Sequence, residues 1–276
     1  MKTIEKLDSE TLLVTDGKLK YVQFESLLKY EDRLTHCFST RIGGVSTGEC
    51  SSLNLGYKRN DIPENVSENF KIICRALDID TESLVFSNQV HDNRVRFIKA
   101  GSSSPESDNS DRGFDGLATT EKGITLVTFY ADCVPVLLYE KSGKAAAGVH
   151  SGWRSTLKGI VREAVEVLKN DAGIIPSELV CVIGPCIGEC CFEVDTDVYK
   201  QFIAVYPEEK HYTNLNNGKW KIDLRGIIKQ DAIAAGIMED DIHLSSVCTK
   251  CRKDLFYSFR GDNGKTGSLA AFMRLK

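Results

Sequence analysis

The sequence predicts an α/β protein, and three observations predict it. The first is the stretch from Ile124 to Lys169, where three apolar, strand-like runs are followed by a helix-spaced run. The second is the rest of the chain, in which short β-rich segments alternate with helical ones bounded by Gly, Asn and Asp turns. The third is the lack of any internal repeat, or of any composition shift that would mark a domain boundary.

In chain order, Leu12–Val14 and Tyr21–Phe24 read as a hairpin around Asp16-Gly17. Leu34–Thr40 is a strand, and Arg41-Ile42-Gly43-Gly44 after it is a loop through which backbone N–H groups could approach an anion. Ser52–Gly56 is a loop with Asn54 between leucines. Asn65–Leu77 has Val66, Phe70, Ile73 and Leu77 on one helical face. Strands at Leu84–Phe86 and Val95–Ile98 flank Asn88-Gln89-Val90-His91, and the Ser-, Asp- and Asn-rich run Gly101–Arg112 reads as an exposed loop. Phe114–Ala118 leads into the central stretch.

There, Ile124–Tyr130 ends at Asp132-Cys133, and Val134–Tyr139 is a second strand, interrupted early by Pro135. Ser142-Gly143 is the turn, and Ala145–Val149 ends at His150. Ser151-Gly152-Trp153-Arg154 opens a long amphipathic helix with Leu157, Ile160, Val161, Ala164, Val165 and Leu168 on one side. Downstream come a strand at Leu179–Ile183 and a helix from Asp195 or Thr196 to Tyr206. A second helix runs from Asp223 to about Ala235, with Asp223 as its cap. Strands follow at Leu244–Val247, Leu255–Arg260 and Ser268–Leu275.

Composition narrows the function. The chain has 276 residues, 42% hydrophobic and 27% charged, which is enough to bury a full core. A net charge of −4 without a Lys/Arg block gives no nucleic-acid footprint. No apolar run reaches the length of a membrane span, and the charged N-terminal residues have no secretory apolar core. The expected location is therefore cytoplasmic, with the ten cysteines reduced.

Only five histidines are present: His36, His91, His150, His211 and His243. His91 and His150 stand apart because both fall at strand ends, beside polar and Gly-rich sequence. Cys133 falls at a strand end too. Three protein donors with a fourth position open is the arrangement of a catalytic zinc site. Spacing alone leaves that set unproven. Asp132, beside Cys133, is a candidate to orient a ligand histidine. Cys248-x-x-Cys251, with Cys186, Cys190 and Cys191 upstream, raises the question of a second metal, but the upstream trio lacks a matching pair. Free thiols are the default there.

The segments ADCVPVLL, GVHSGWRST, IGPCIGECCFEV and the C-terminal LFYSFRGDNGKTGSLAAFMRL resemble the YfiH family of laccase-domain proteins. These are also called peptidoglycan editing factors or purine nucleoside phosphorylases. STRIGGVS, SLNLG and SNQVH fit the same family, so the similarity runs from about Leu34 to the end. The resemblance implies one domain over residues 1–276, with a mixed β-sheet core flanked by helices, a fold shared with a deamidating toxin that uses Cys and His. It implies a metal held by His91, Cys133 and His150. It further implies phosphorolysis of adenosine, inosine and methylthioadenosine, with deamination of adenosine. One departure is that Arg260 is followed by Gly261, where many members carry a second arginine.

The expected cofactor is zinc, with copper able to take the same donors in vitro. The expected partners are purine nucleosides and phosphate, with neither nucleic acid nor membrane. Cys133, His150 and Arg154 are the expected catalytic residues. Arg41, Asn54, Gln89, Arg154 and Glu193 are the expected substrate contacts, the arginines because guanidinium binds phosphate oxygens in bidentate fashion. Two alternatives stand beside this reading. A copper-dependent polyphenol oxidase needs many imidazole ligands, and five scattered histidines are too few. A metal-free Cys133–His150 thiol amidohydrolase acting on peptidoglycan-related amides rests on analogy with the toxin fold.

Overall fold

The structure is a computed structural model that describes residues 2–99 and 113–276. The loop expected at Gly101–Arg112 lies outside the described residues. The strands are β1 (Thr3–Lys6), β2 (Thr11–Asp16), β3 (Leu19–Phe24), β4 (Leu34–Ser39), β5 (Leu84–Phe86), β6 (Val95–Ile98), β7 (Gly116–Thr119) and β8 (Thr125–Tyr130). They continue with β9 (Val134–Glu140), β10 (Ala146–Ser151), β11 (Leu179–Ile183), β12 (Glu193–Asp195), β13 (Tyr212–Asn214), β14 (Lys219–Ile222), β15 (Ile242–Leu244) and β16 (Leu269–Leu275). The helices are α1 (Glu25–Leu28), α2 (Pro63–Leu77), α3 (Trp153–Leu157), α4 (Ile160–Ala172), α5 (Thr196–Val205) and α6 (Leu224–Ala234).

The mixed-sheet core takes the form of two mixed sheets packed face to face. One runs β1-β2-β3-β4-β16-β8-β5 and the other β15-β11-β9-β10-β7-β6, while β12-β14-β13 form a small third sheet. In the first, β5 and β8 are parallel and the other pairs antiparallel; in the second, β6–β7 and β11–β15 are the parallel pairs.

Period-2 alternation assigns each face. On β9, Leu137 and Tyr139 join Phe38, Tyr130 and Met273 of the opposite sheet in the layer between the sheets. Val136 and Leu138 point the other way, into a second layer with Ile160, Val161, Ala164, Val165 and Leu168 of α4. Strands covered on both faces read as continuous apolar runs, so β9, β10 and β11 are buried throughout. On the far side of the first sheet, Val66, Phe70 and Ile73 of α2 pack on Cys37, Val127 and Phe272.

Several sequence expectations change. The helix opening at Trp153 breaks at Gly159, whose φ of +71° separates α3 from α4. Leu255–Arg260 forms turns and not a strand, and the strand near Leu244 is Ile242–Leu244. Asp223 precedes α6 without a side-chain capping bond. Pro135 does not interrupt β9, where it pairs with His150.

Candidate functional site

β8 ends at Tyr130 and β9 begins at Val134, so the turn between them projects Cys133 from the first sheet toward the second. Asp132 takes a φ of +87° to make that turn. β10 ends beside it, which puts His150 opposite Pro135 and next to Cys133. His91 reaches the same point from the segment after β5, with a φ of +60°.

The ligand atoms of His91, Cys133 and His150 all lie within 4.8 Å of one another, and the two imidazole rings meet edge to face at 5.0 Å. His150 is buried, Cys133 half-buried and His91 exposed, so the group opens to solvent on the His91 side. Gly152 closes the other side. A Cβ there would stand 2.9 Å from His91 Cδ2 and 3.3 Å from Cys133 Sγ. The donor set of one thiolate and two imidazoles suits a soft divalent ion and leaves a position open.

Asp115 organises the group. It is wholly buried, accepts the backbone N–H groups of Val90, His91 and Asp92 at 2.9–3.0 Å, and accepts Nδ1–H of His150 at 2.8 Å. Holding Nδ1 protonated leaves Nε2 of His150 as the free donor atom. Burial pushes the Asp115 carboxyl up, but its bond to His150 and its backbone donors outweigh this and hold it below the usual carboxylate range. Burial likewise opposes charge on Cys133 and His150. Their mutual attraction wins, bringing the thiol down to about 6 and the imidazole up to about 9.

The group sits in the wall of a cavity of about 830 Å³, within the range that encloses a small organic ligand. Phe129, Trp153, Phe192 and Phe259 supply flat apolar wall, and Phe259 is 52% exposed at the mouth. The cationic side chains on the wall are Lys58, Arg59, Arg154 and Arg260.

The expected site residues therefore divide. His91, Cys133 and His150 come together, and Gln89 and Arg154 line the cavity. Gln89 is oriented by donating to Phe129 O at 2.9 Å, and the Arg154 guanidinium lies 4.1 Å from the Trp153 ring. Arg41, Asn54 and Glu193 are elsewhere. Arg41 donates to the carbonyls of Ser51 and Lys253 and stacks over Tyr257, so its guanidinium fastens loops. Asn54 is buried and spends its amide on Gly56, Asp61 and Ser268, which shapes the cavity edge from behind. Glu193 is exposed on β12, and only its carbonyl meets the site, accepting from Arg260 Nη1 at 2.7 Å.

Asp132 orients no histidine. Its carboxylate accepts from Thr249 Oγ1 and from the Arg260 N–H, both at 2.7 Å. Arg59 and Lys58 are cavity residues that sequence reasoning missed. Their signal was the basic pair following Ser52–Gly56, with Arg59 Nε donating to Ser268 Oγ at 2.8 Å from 209 residues away. The other histidines are dispersed: His36 accepts the Phe24 N–H, His211 meets Gln230, and His243 lies on β15.

Fold and site together define a mixed α/β protein with a His–Cys–His donor group in an arginine-bearing cavity. Residues 35–276 match the family described as multi-copper polyphenol oxidoreductase laccase. YlmD of Bacillus subtilis (strain 168), named a purine nucleoside phosphorylase, is 33% identical over 243 residues, 87% of each chain. The solved structure of YfiH from Bacillus licheniformis, a hypothetical protein, superposes with a TM-score of 0.86 at 30% identity over 99% of both chains. That of YlmD from Geobacillus stearothermophilus gives 0.86 at 29% identity, over 95% of this chain and 98% of that one. This chain belongs to the YfiH/YlmD family of laccase-domain proteins. Among the described residues, no helix is long and apolar enough to cross a membrane.

Proposed function

We propose that this protein is a zinc-dependent purine nucleoside phosphorylase, acting on adenosine, inosine and methylthioadenosine, and that the same cavity deaminates adenosine. The observation that carries the proposal is that one cavity brings the His–Cys–His donors together with Arg59, Arg154 and Arg260 and with flat aromatic walls. Purine, phosphate and metal thus have complementary surfaces within one enclosure. The relatives' name, purine nucleoside phosphorylase, agrees with that chemistry.

His91, Cys133 and His150 would hold the zinc, which supplies Lewis acidity when bound. Asp115 keeps the His150 ring in register and its Nδ1 protonated. Breaking the C–N glycosidic bond builds positive charge on the ribose and negative charge on the departing purine. Arginines in the cavity hold phosphate against the first, and polar donors on the wall stabilise the second. Phe129, Trp153 and Phe259 offer stacking surface for the base. The decisive assay is inosine with and without phosphate. Hypoxanthine and ribose 1-phosphate should form only when phosphate is present, and phosphate-independent release would refute phosphorolysis.

One observation favours a second reading. Cys133, His150 and Asp115 stand in the order of a thiol hydrolase triad, with the thiol lowered to about 6 by His150. Amide hydrolysis that persists after chelation, in protein without metal, would put this reading in place of the first. The family's copper-oxidase description finds no support in the ligands. The imidazoles outside the site are committed to separate places in the fold, and a multi-copper centre draws chiefly on imidazole.

A further inference from the structure

Cys190, Cys191, Cys248 and Cys251 form a second cluster, whose four Sγ atoms all lie within 4.8 Å of one another. Cys191 Sγ is 3.5 Å from Cys251 Sγ, and Cys190 Sγ is 3.7 Å from it. A tetrahedron with Zn–S bonds near 2.3 Å has edges of about 3.8 Å, which is close to these separations. A disulfide needs about 2.05 Å, and all four thiols are free.

Core packing does not account for the cluster. Cys37, Cys74 and Cys181 are buried among apolar side chains, as free cysteines usually are, but Cys190 and Cys251 are exposed. Two tight turns aim the sulfurs at one point. The Gly188–Cys191 turn is closed by Cys191 N–H to Gly188 O, and the turn after Cys248 by Arg252 N–H to Cys248 O. Gly188 N–H also donates to Cys248 Sγ at 3.2 Å, a bond that favours a sulfur carrying negative charge.

We propose that these four cysteines bind a structural zinc ion, distinct from the His91–Cys133–His150 site. Its place gives it a purpose. Ile187 and Phe192, on either side of the first turn, line the cavity, and Ile187 N–H donates to Asp132 O at 2.9 Å. Thr249, inside the second turn, donates to the Asp132 carboxylate. The ion fastens together the two loops that clamp Asp132, the residue before Cys133. Its coordination is closed and all-sulfur, so it stiffens the cavity wall and takes no part in chemistry.

The test is metal content of the full chain, purified under reducing conditions and dialysed against a mild chelator. About two zinc ions per chain are expected. Cys190→Ser and Cys251→Ser should each lose about one and keep the other, whereas His91→Ala should show the reverse loss. Activity is not the readout, so failure of the phosphorylase reading leaves this result independent. Should the serine variants fail to fold, zinc absorption spectroscopy of the wild-type protein decides. Two sites average about 2.5 sulfur ligands per zinc, and the His–Cys–His site alone gives about one. Two results would overturn the proposal. One is a single equivalent of zinc that follows only His91, Cys133 and His150. The other is a Cys190–Cys251 or Cys191–Cys251 disulfide recovered from protein alkylated at lysis.

Discussion

At the residue scale, two buried side chains carry opposite duties. Asp115 has its carboxylate fully engaged by three backbone N–H groups and by His150. Replacement by Asn keeps the size but sets an NH₂ group against donors. Asp115→Asn should weaken metal binding by about 10- to 100-fold, read by chelator competition, with the fold intact by circular dichroism. Unchanged affinity would mean that the backbone alone positions His91 and His150. His36 carries no site chemistry. It is buried, its ring accepts the Phe24 N–H at 2.9 Å, and burial pushes its pKa down to about 3. A histidine in the unfolded chain titrates near 6.5, so below about that pH the unfolded chain binds a proton that the fold excludes. Stability should then fall by up to about 1.4 kcal/mol per pH unit as pH drops from about 6.5 toward 3. Urea midpoints at about pH 7, 5.5 and 4.5 check this, and His36→Gln should flatten the slope. These roles differ in how far the sequence shows them. The three donors were legible as strand-end polar groups within motifs. The role of Asp115 was not legible, because its partner His150 lies 35 residues away and β7–β10 pairing alone brings them together.

At the element scale, the segment from β10 into α3 and α4 shows how much local pattern reveals and where it stops. Its apolar spacing read correctly as helix, and Ile160, Val161, Ala164, Val165 and Leu168 do face the second sheet. Its continuity did not. A lone glycine in a helical pattern is ambiguous, and Gly159 proves to sit at a φ of +71°. The break lets α3 run out from the site while α4 packs along the sheet. Gly159→Ala should cost about 1–2 kcal/mol, read as a lower urea midpoint. Gly152 has a different reason to be glycine. Its φ of −75° is ordinary, but its Cα faces His91 and Cys133 too closely for a side chain. Gly152→Ala should therefore reduce bound metal while changing the urea midpoint of the metal-free protein less than Gly159→Ala does. The run Leu255–Arg260 failed as a strand for a related reason. Phe256 and Tyr257 are buried by the folded loops around them while Phe259 is exposed, and Tyr257 bonds Cys50 from 207 residues away, which no local window registers.

At the scale of the whole molecule, the cavity exists because two sheets end together and no single segment encloses it. Arg59 comes from the loop after Gly56, Arg154 from the start of α3 and Arg260 from the C-terminal turns. Sequence reasoning chose Arg41 and Arg154 from local loop chemistry; Arg154 lines the cavity and Arg41 does not, since only the three-dimensional closure decides which arginine faces inward. The loops themselves are held by the scaffold: Arg59 by Ser268, Arg260 by the carbonyl of Glu193 and the carboxylate of Asp132. If phosphate is bound by this convergent set, no single arginine is indispensable, but each should act on phosphate more than on nucleoside. Arg154 is exposed and packs on Trp153, so its replacement should disturb the fold little. Arg154→Ala should raise the phosphate KM by roughly 10-fold, about 1.4 kcal/mol, with the inosine KM changing much less. Adenosine deamination, which uses no phosphate, should be largely spared in the same variant. Raising ionic strength should mimic the substitution by weakening phosphate capture in the wild-type enzyme, and more weakly in Arg154→Ala. Equal loss of phosphorolysis and deamination would assign Arg154 to the nucleoside, through its stacking with Trp153, and would leave Arg59 and Arg260 to hold the anion.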